Sequence, residues 1–333
     1  MGHPMSIISL KGIGAYAPTK LLSNQDFEKI IDTSDEWIVT RSGIHFRHVA
    51  SPDQATSDLA FEASKEALEQ AKLKATDLDL IIVGTSSPDM FFPSTACLLA
   101  QKLQAPHPMA FDVQAGCSGF LYALSTAEQF LRNGTYRNAL VLGADTITRF
   151  TDYTDRSTCF LFGDGAGAFV LEKQEDGREF ILDFISGTDP NGTDKLNMPA
   201  CGSKNPASIE NIQSRDHYVK MNGKEIFKFA VRISEVLITE LLQRNHLKST
   251  DIAWYAFHQA NIRIVEAASE RLNIHQDQNM LTIDHFGNTS SATVPMTIHE
   301  YARLGKLKKD DLIIMVVFGA GLTYSAALVR WPG

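Results

Sequence analysis

Three residues far apart in a chain of 333, Cys117, His258 and Asn288, sit in the small-residue settings that reacting groups need. Cys117 lies in "FDVQAGCSGFLYALSTAEQFL" (111–131), where an apolar run gives way to an amphipathic helical pattern. A helix starting there leaves its first N–H groups unpaired and adds partial positive charge, and both favour thiolate over thiol. Ala115, Gly116, Ser118 and Gly119 keep the approach open for the carbonyl that a thiolate would attack. Packing alone also accounts for a small thiol in a strand–helix turn. His258, in "YAFHQANIRI", stands where an apolar strand ends. Parallel α/β sheets place their active sites at that edge, although a satisfied structural histidine gives the same pattern. Asn288, in "DHFGNTSSATVP", follows Gly287 and precedes small hydroxyl residues. Turn formation by itself explains an asparagine there.

The elements that must position these groups are legible as alternating strands and helices. "LDLIIVGTSS" (78–87), "MAFDVQ" (109–114) and "NALVLGAD" (138–145) are apolar without alternation, which reads as strands buried on both faces. "STACLLAQKL" (94–103) and the segment from Cys117 read as helices between them, so the pattern predicts βαβ units and a mostly parallel sheet. The second half repeats this more loosely. A long amphipathic helix spans 225–245, and 252–261 is strand then turn. "DLIIMVVFGAGLTYSAALVRW" (311–331) reads as two antiparallel strands joined by a Gly-rich turn. An internal duplication is expected, with halves 1–175 and 176–333. Within the second half, 187–220 is rich in Asn, Pro, Gly, Ser and Asp and reads as a long surface excursion of the kind that serves as a lid or binding element.

Composition narrows the function classes. The length implies about two domain-sized halves. Net charge of −8 argues against bulk nucleic-acid binding while leaving room for a local basic patch. Four cysteines without CxxC spacing point to a reducing, cytoplasmic setting, and scattered histidines without HExxH give no metal site. The longest apolar run, 312–322, is too short to span a bilayer and is broken by Gly319 and Gly321, so no membrane association is expected. No signal peptide is visible, and Met-Gly-His-Pro at 1–4 reads as an added leader set aside from the fold. "GDGAGA" (163–168) is followed by a strand-like run rather than a helix, so it reads as a tight turn, not a phosphate cradle.

Taken together, "DVQAGCSGFLYAL", "FHQANIRI", "FGNTSSATVP" and "FGAGLTYSAALVRW" closely resemble signatures of the β-ketoacyl-acyl-carrier-protein synthase III enzymes of the thiolase superfamily. "TSDEWIVTRSGIHFRH" (33–48) and "FGDGAGAFVLE" (162–172) are further signatures in family order, and the likeness runs from about residue 12 to the C-terminus. The resemblance implies an α/β fold of two thiolase-like duplicated βαβ halves forming a five-layer αβαβα core. It implies a decarboxylative Claisen condensation of a short acyl-CoA with malonyl-acyl-carrier protein, initiating fatty acid synthesis. Cys117 would carry the acyl group, and His258 and Asn288 would stabilise the enolate. The Cys117 and Ala320 amides would form the oxyanion hole, with Ala320 standing where many relatives have glycine. No cofactor is implied, since acyl-CoA is a substrate. Thr33, Trp37, Arg41, Arg156 and Asn261 match coenzyme A contacts, with the base between Trp37 and Arg156. Phe92 matches a residue that crosses a homodimer to shorten the partner's acyl pocket, and Phe91 beside it leaves the register open. Lys228, Arg263 and Arg271 match a carrier-protein patch, weakened by Glu270 where relatives are basic.

Three other readings stay open on sequence. A paralogue with a longer acyl starter would have changed at places such as Ser42, Ser118, Phe286, Tyr324, Ser325 or the 187–220 excursion. A cysteine hydrolase also uses Cys, His and Asn, although papain-like enzymes carry the cysteine near the mature N-terminus in a different signature. A non-catalytic scaffold would have no use for the three residues together.

Overall fold

The computed structural model describes residues 6–333; the leader at 1–4 lies outside them. The first sheet contains β1 (Ile7–Tyr16), β2 (Leu80–Gly84), β3 (Met109–Val113), β4 (Asn138–Asp145) and β5 (Gly165–Gln174) in the order β1-β5-β4-β2-β3. The second contains β6 (Ile181–Thr188), β7 (Trp254–Phe257), β8 (Leu312–Gly319) and β9 (Thr323–Arg330) in the order β6-β9-β8-β7. In each sheet the first two junctions are antiparallel and the next is parallel. A parallel bridge from Tyr255 to Asn279 stands where β3 stands in the first sheet. The two sheets thus share one connectivity, which is the duplication seen in three dimensions. The expected mostly parallel sheet is corrected: each sheet is mixed, because hairpin-like partners flank the βαβ core.

Side-chain alternation explains the layering. Leu80 and Ile82 join one hydrophobic cluster while Ile81 and Val83 join another, and Ile313 and Met315 separate from Ile314 and Val316 in the same way. Each strand therefore has two apolar faces, and each face needs a cover. Helices α3 (Gly119–Asn133) and α6 (Thr293–Arg303) fill the space between the sheets. Helices α2 (Thr56–Ala71) and Thr95–Leu103 cover the outer face of the first sheet. Helices α4 (Gly223–Arg244) and α5 (Ile262–Leu272) cover the outer face of the second. This is the five-layer αβαβα arrangement.

One buried carboxylate joins the halves at their strand ends. Asp145, the last residue of β4, is fully buried. Its Oδ1 accepts from the Thr85 hydroxyl (3.0 Å), the Ser86 amide (2.7 Å) and the Ser87 amide and hydroxyl (3.0 and 2.8 Å). Its Oδ2 accepts from the Ser291 amide (3.0 Å), with the Ser291 hydroxyl at 2.7 Å. Asp164, in the "GDGAGA" turn, is buried likewise and accepts from the Ala50 and Thr148 amides and the Thr148 hydroxyl, so that turn points its acid inward and leads into β5. The 187–220 excursion is sparsely structured, with a two-residue ladder pairing Leu196 with Met221 and a short helix Ile209–Gln213. Among the described residues no helix is long and apolar enough to cross a membrane.

Replacing Asp145 by alanine leaves buried donors from two loops without an acceptor. Chemical denaturation of Asp145→Ala is expected to show a loss of about 3 kcal/mol or more; a loss below about 1 kcal/mol would show that the network does not bear on stability.

Candidate active site

The three distant residues meet. Cys117, His258 and Asn288 line one small chamber of about 30 Å³, walled by Phe162, Leu196, Met221, Ile226, Phe229, Phe318 and Leu322. Each arrives by a different local device. Cys117 ends the turn after β3, one residue before Ser118, the N-cap of α3. Thr323 donates to the Ala115 carbonyl (2.6 Å), closing the turn against β9. His258 continues the β7–β8 ladder through its amide to the Val316 carbonyl (2.7 Å). Asn288 is held through its backbone to Leu161 and Gly163.

Two orientations follow from hydrogen bonding. The Asn288 Oδ1 accepts the Ser290 amide at 2.9 Å, so its NH2 group is the end left for a ligand. The His258 Nδ1 is buried without a partner, which leaves Nε2 to meet the chamber. Burial holds the imidazole neutral, with its pKa pushed down to about 3. The Cys117 thiol goes the opposite way to the sequence expectation. Burial pushes it up to about 12, and a hydrogen bond from Ser290 and the cysteine's own amide only partly offset this, with the Asp145 charge adding to the rise. The start of α3 does not outweigh desolvation, and Cys117 rests as a thiol.

The Ala320 loop closes on the same spot. A Cβ on Gly319 would lie 2.4 Å from the Cys117 nitrogen, and one on Gly116 would lie 2.5 Å from the Ala320 nitrogen. These glycines let the two loops touch backbone to backbone. Ala320 is absent from the residues with positive φ, so alanine stands there without strain.

The chamber shares Met221, Ile226, Ala260 and Asn288 with an outer trough of about 810 Å³. Trp37, Arg41, Arg156 and Asn261 line that trough, as do Lys228 and Arg263. Trp37 and Arg41 are one turn apart on α1 (Asp35–Ser42), which Ser34 caps and Gly43 ends at φ 80°. Arg41 and Arg156 lie 4.8 and 4.6 Å from the Trp37 ring centroid, so the slot expected for a base is filled by guanidinium. Asn261 also has a structural role. Its Oδ1 caps α5 at Arg263 (2.9 Å), and its Nδ2 donates to the Arg41 carbonyl (2.8 Å). Lys224, not singled out from sequence, joins the lining; five cations and no carboxylate line the trough.

Other expected positions fall elsewhere. Thr33 does not line the trough, and its buried hydroxyl has no partner. Arg271 also lies off the lining, paired with Glu235 at 3.0 Å, while Lys228 is paired with Glu225 at 2.9 Å. Phe92 is 84% exposed and lines neither cavity of its own chain; Phe91 is 78% exposed. Ser42, Ser118, Phe286, Tyr324 and Ser325 line neither cavity. The chamber is walled instead by Leu196 and Met221, in and beside the excursion, and by Ile226 and Phe229 on the amphipathic helix expected over 225–245. Among the described residues no group of three or more His, Cys, Asp or Glu is arranged to hold a metal.

Comparison with known proteins gives one family. The profile of 3-Oxoacyl-[acyl-carrier-protein (ACP)] synthase III matches residues 111–190, and that of its C-terminal part matches residues 242–331. The chain is 49% identical over 320 residues to the Beta-ketoacyl-[acyl-carrier-protein] synthase III of Caldanaerobacter subterraneus subsp. tengcongensis, covering 96% of each. The crystal structure of 3-oxoacyl-[acyl-carrier-protein] synthase III from Aquifex aeolicus superposes with a TM-score of 0.90 at 42% identity, over 97% of this chain and 100% of that one. The priming β-ketosynthase of the R1128 polyketide pathway superposes at 0.91 with 31% identity, over 100% and 98%.

A protonated resting thiol predicts slow alkylation. With iodoacetamide at about pH 7, Cys117, resolved by peptide mass spectrometry, is expected to react more slowly than cysteine in an unstructured peptide. A rate at or above the peptide's would mean the sulfur is ionised at rest.

Proposed function

The chain belongs to the 3-oxoacyl-[acyl-carrier-protein] synthase III family of condensing acyltransferases that initiate fatty acid synthesis, and we propose that it joins a short acyl-CoA, acetyl-CoA first, to malonyl-acyl-carrier protein through an acyl-Cys117 intermediate. The observation that carries this reading is the basic trough leading into the apolar Cys–His–Asn chamber. On a chain of net charge −8, five cations, of which among the described residues Lys228 alone is ion-paired, suit the phosphates of coenzyme A and an acidic carrier. The small inner volume suits a short primer. We also assign a homodimer, because Phe91 and Phe92 expose more apolar surface than a lone chain favours.

The steps follow from the groups present. The Cys117 sulfur attacks the thioester carbonyl, the carbon–sulfur bond to coenzyme A breaks, and the proton lost by the thiol is regained by the departing coenzyme A. The Cys117 and Ala320 amides receive the oxyanion. Coenzyme A enters along Trp37, Arg41, Arg156 and Asn261, and a stacked base displaces Arg156 from the ring. Malonyl-carrier protein docks on Lys228 and Arg263, with Arg271 at the rim. Its carboxylate leaves as carbon dioxide, and the His258 Nε2–H and the Asn288 NH2 donate to the enolate oxygen. The enolate carbon then attacks the acyl carbonyl and releases Cys117. A neutral imidazole serves as this donor, so no imidazolium is required. The likeness to a priming ketosynthase of a polyketide pathway marks the second reading, a paralogue with a longer primer; the 30 Å³ chamber favours the short one.

Intact-protein mass spectrometry after incubation with acetyl-CoA is expected to show a gain of one acetyl group, absent in Cys117→Ala. No gain with acetyl-CoA but one with a C8 thioester would select the longer-primer reading. Asn288→Asp replaces the donor by an acceptor of equal size; it is expected to keep the acetyl adduct and lose about 100- to 1000-fold in condensation rate. Because burial lowers the His258 pKa, the condensation rate of the acylated enzyme should show no acid limb near pH 6.5, where an ordinary histidine would gain its proton.

A further inference from the structure

Ser290 contributes the side-chain hydroxyl that meets the nucleophilic sulfur, and nothing above assigns it a role. Its Oγ lies 3.5 Å from the Cys117 Sγ. The residue is 3% exposed, and among the described residues this hydroxyl has no other hydrogen-bond partner. A buried hydroxyl with only a sulfur for company is a weakly satisfied group. Its backbone is also unusual. Ser290 has φ +54°, a left-handed conformation that side chains other than glycine, asparagine and aspartate rarely adopt. Two local features hold it there. The amide of Ser290 donates to the Asn288 Oδ1, and the next residue, Ser291, donates through its amide to Asp145. The chain therefore holds a strained residue in place, and its side chain reaches the reacting atom.

From this geometry we propose that Ser290 is a further catalytic residue, whose hydroxyl donates a hydrogen bond to the Cys117 sulfur as negative charge develops there. The inference rests on Cys117 being the nucleophile. With the sulfur protonated, the contact is weak and either atom can donate. Once the thiol proton has left, the sulfur has only lone pairs, and the hydroxyl alone can supply the proton of the bond. A neutral contact thus becomes a charge-assisted one when the nucleophile ionises, and it strengthens as the barrier is approached. The Ser290 proton stays on Oγ throughout. After acylation the sulfur is uncharged and the bond weakens again, which leaves the acyl-enzyme free to meet the enolate.

The electrostatic surroundings give the contact its use. Of the titratable groups around the sulfur, Asp145 is acidic and opposes ionisation, and His258 is held neutral by burial. No cationic side chain lines the inner chamber. Hydrogen-bond donors are what remains to stabilise a thiolate there, and among the described residues Ser290 is the one side chain hydrogen-bonded to the sulfur.

The test uses two variants with opposite backbone preferences. Ser290→Gly removes the hydroxyl and relaxes the left-handed backbone; Ser290→Ala removes the hydroxyl and keeps the strain. For each, and for the unaltered protein, two rates are followed between roughly pH 6 and 9. One is acetyl transfer from acetyl-CoA to Cys117 without carrier protein, read by intact mass. The other is alkylation of Cys117 by iodoacetamide, read by peptide mass spectrometry. The expected result is a fall of about 10-fold or more in both rates in both variants, with the pH–rate line displaced in parallel. Unchanged rates, or a defect in Ser290→Ala that Ser290→Gly lacks, would overturn the proposal, the latter by tracing the effect to the backbone. Failure of the unaltered protein to take up an acetyl group at Cys117 would instead remove the nucleophile assignment, and the alkylation arm would still decide whether Ser290 acts on the sulfur.

Discussion

The active site depends on how the Asp145 carboxylate is shared. One oxygen gathers the loop after β2, and the other gathers Ser291, which lies 146 residues away in sequence. The loop carrying Asn288 and Ser290 belongs to the second half, while Cys117 belongs to the first. Without a common acceptor, the donors of both loops would be buried and unpaired, a state more costly than leaving them in water. Satisfying them brings the loops to the end of β4 and sets the Asn288 and Ser290 side chains beside the turn that holds the thiol. The packing of α3 and α6 between two sheets gives the site its rigidity, and the carboxylate gives it its register.

The same dryness has opposite consequences for the two titratable partners. It keeps His258 neutral and so preserves an N–H donor across the ordinary range of pH. In the reaction we propose, it also raises the cost of the thiolate that would attack first. A wetter chamber would ionise the sulfur more readily but would hydrate the enolate donors and admit water to the acyl thioester. Fixed dipoles resolve the conflict, because they stabilise charge only where and when it appears. The Cys117 and Ala320 amides, the Asn288 NH2 and the Ser290 hydroxyl are all neutral, and all are held by backbone contacts rather than by mobile charges.

Local sequence carried the strands and the major helices and singled out Cys117, His258 and Asn288, which the fold brings to one chamber, because apolar runs, helix periodicity and small-residue turns are local signals. It did not carry strand direction at the sheet margins. β1 and β5 are apolar like the central strands, and only their pairing makes them antiparallel. It pointed to one role for Asn261, whereas in the fold that amide also caps a helix and ties it to α1. It placed specificity at Ser42, Ser118, Phe286, Tyr324 and Ser325, whose hydroxyls and rings turn into the fold, for instance Ser325 toward Ser186 at 2.8 Å. It passed over Asp145, since an acid after "VLGA" looks like any strand end until its distant donors are counted. The excursion looked like solvent-exposed loop by composition, and much of it is; of the two apolar residues that reach the chamber, Leu196 lies inside it and Met221 just past its end.

Those two residues show why a polar loop can still shape an apolar site. They face each other across the two-residue ladder and reach the chamber wall together, while much of the segment between them, such as Ile209 and Ile212, is exposed. Such a short ladder has little stability of its own, so the excursion is held by its ends and by ion pairs to the rest of the chain, Arg215 and Lys220 to Asp152 and Asp189 to Arg232. Asp189 exchanges two backbone hydrogen bonds with Leu322, next to the Ala320 loop, at 2.8 and 2.9 Å. Farther along, Arg215 makes a bidentate contact with Asp152 at 2.6 and 2.8 Å. Asp152 is buried, and the same carboxylate organises the turn at Thr154 just before Arg156. One end of the excursion is therefore tied to the Ala320 loop and the other to the loop that stacks Arg156 on Trp37. The roof of the inner chamber is thus braced against the wall of the basic trough, which is how a stretch with almost no regular structure is held over Cys117, His258 and Asn288.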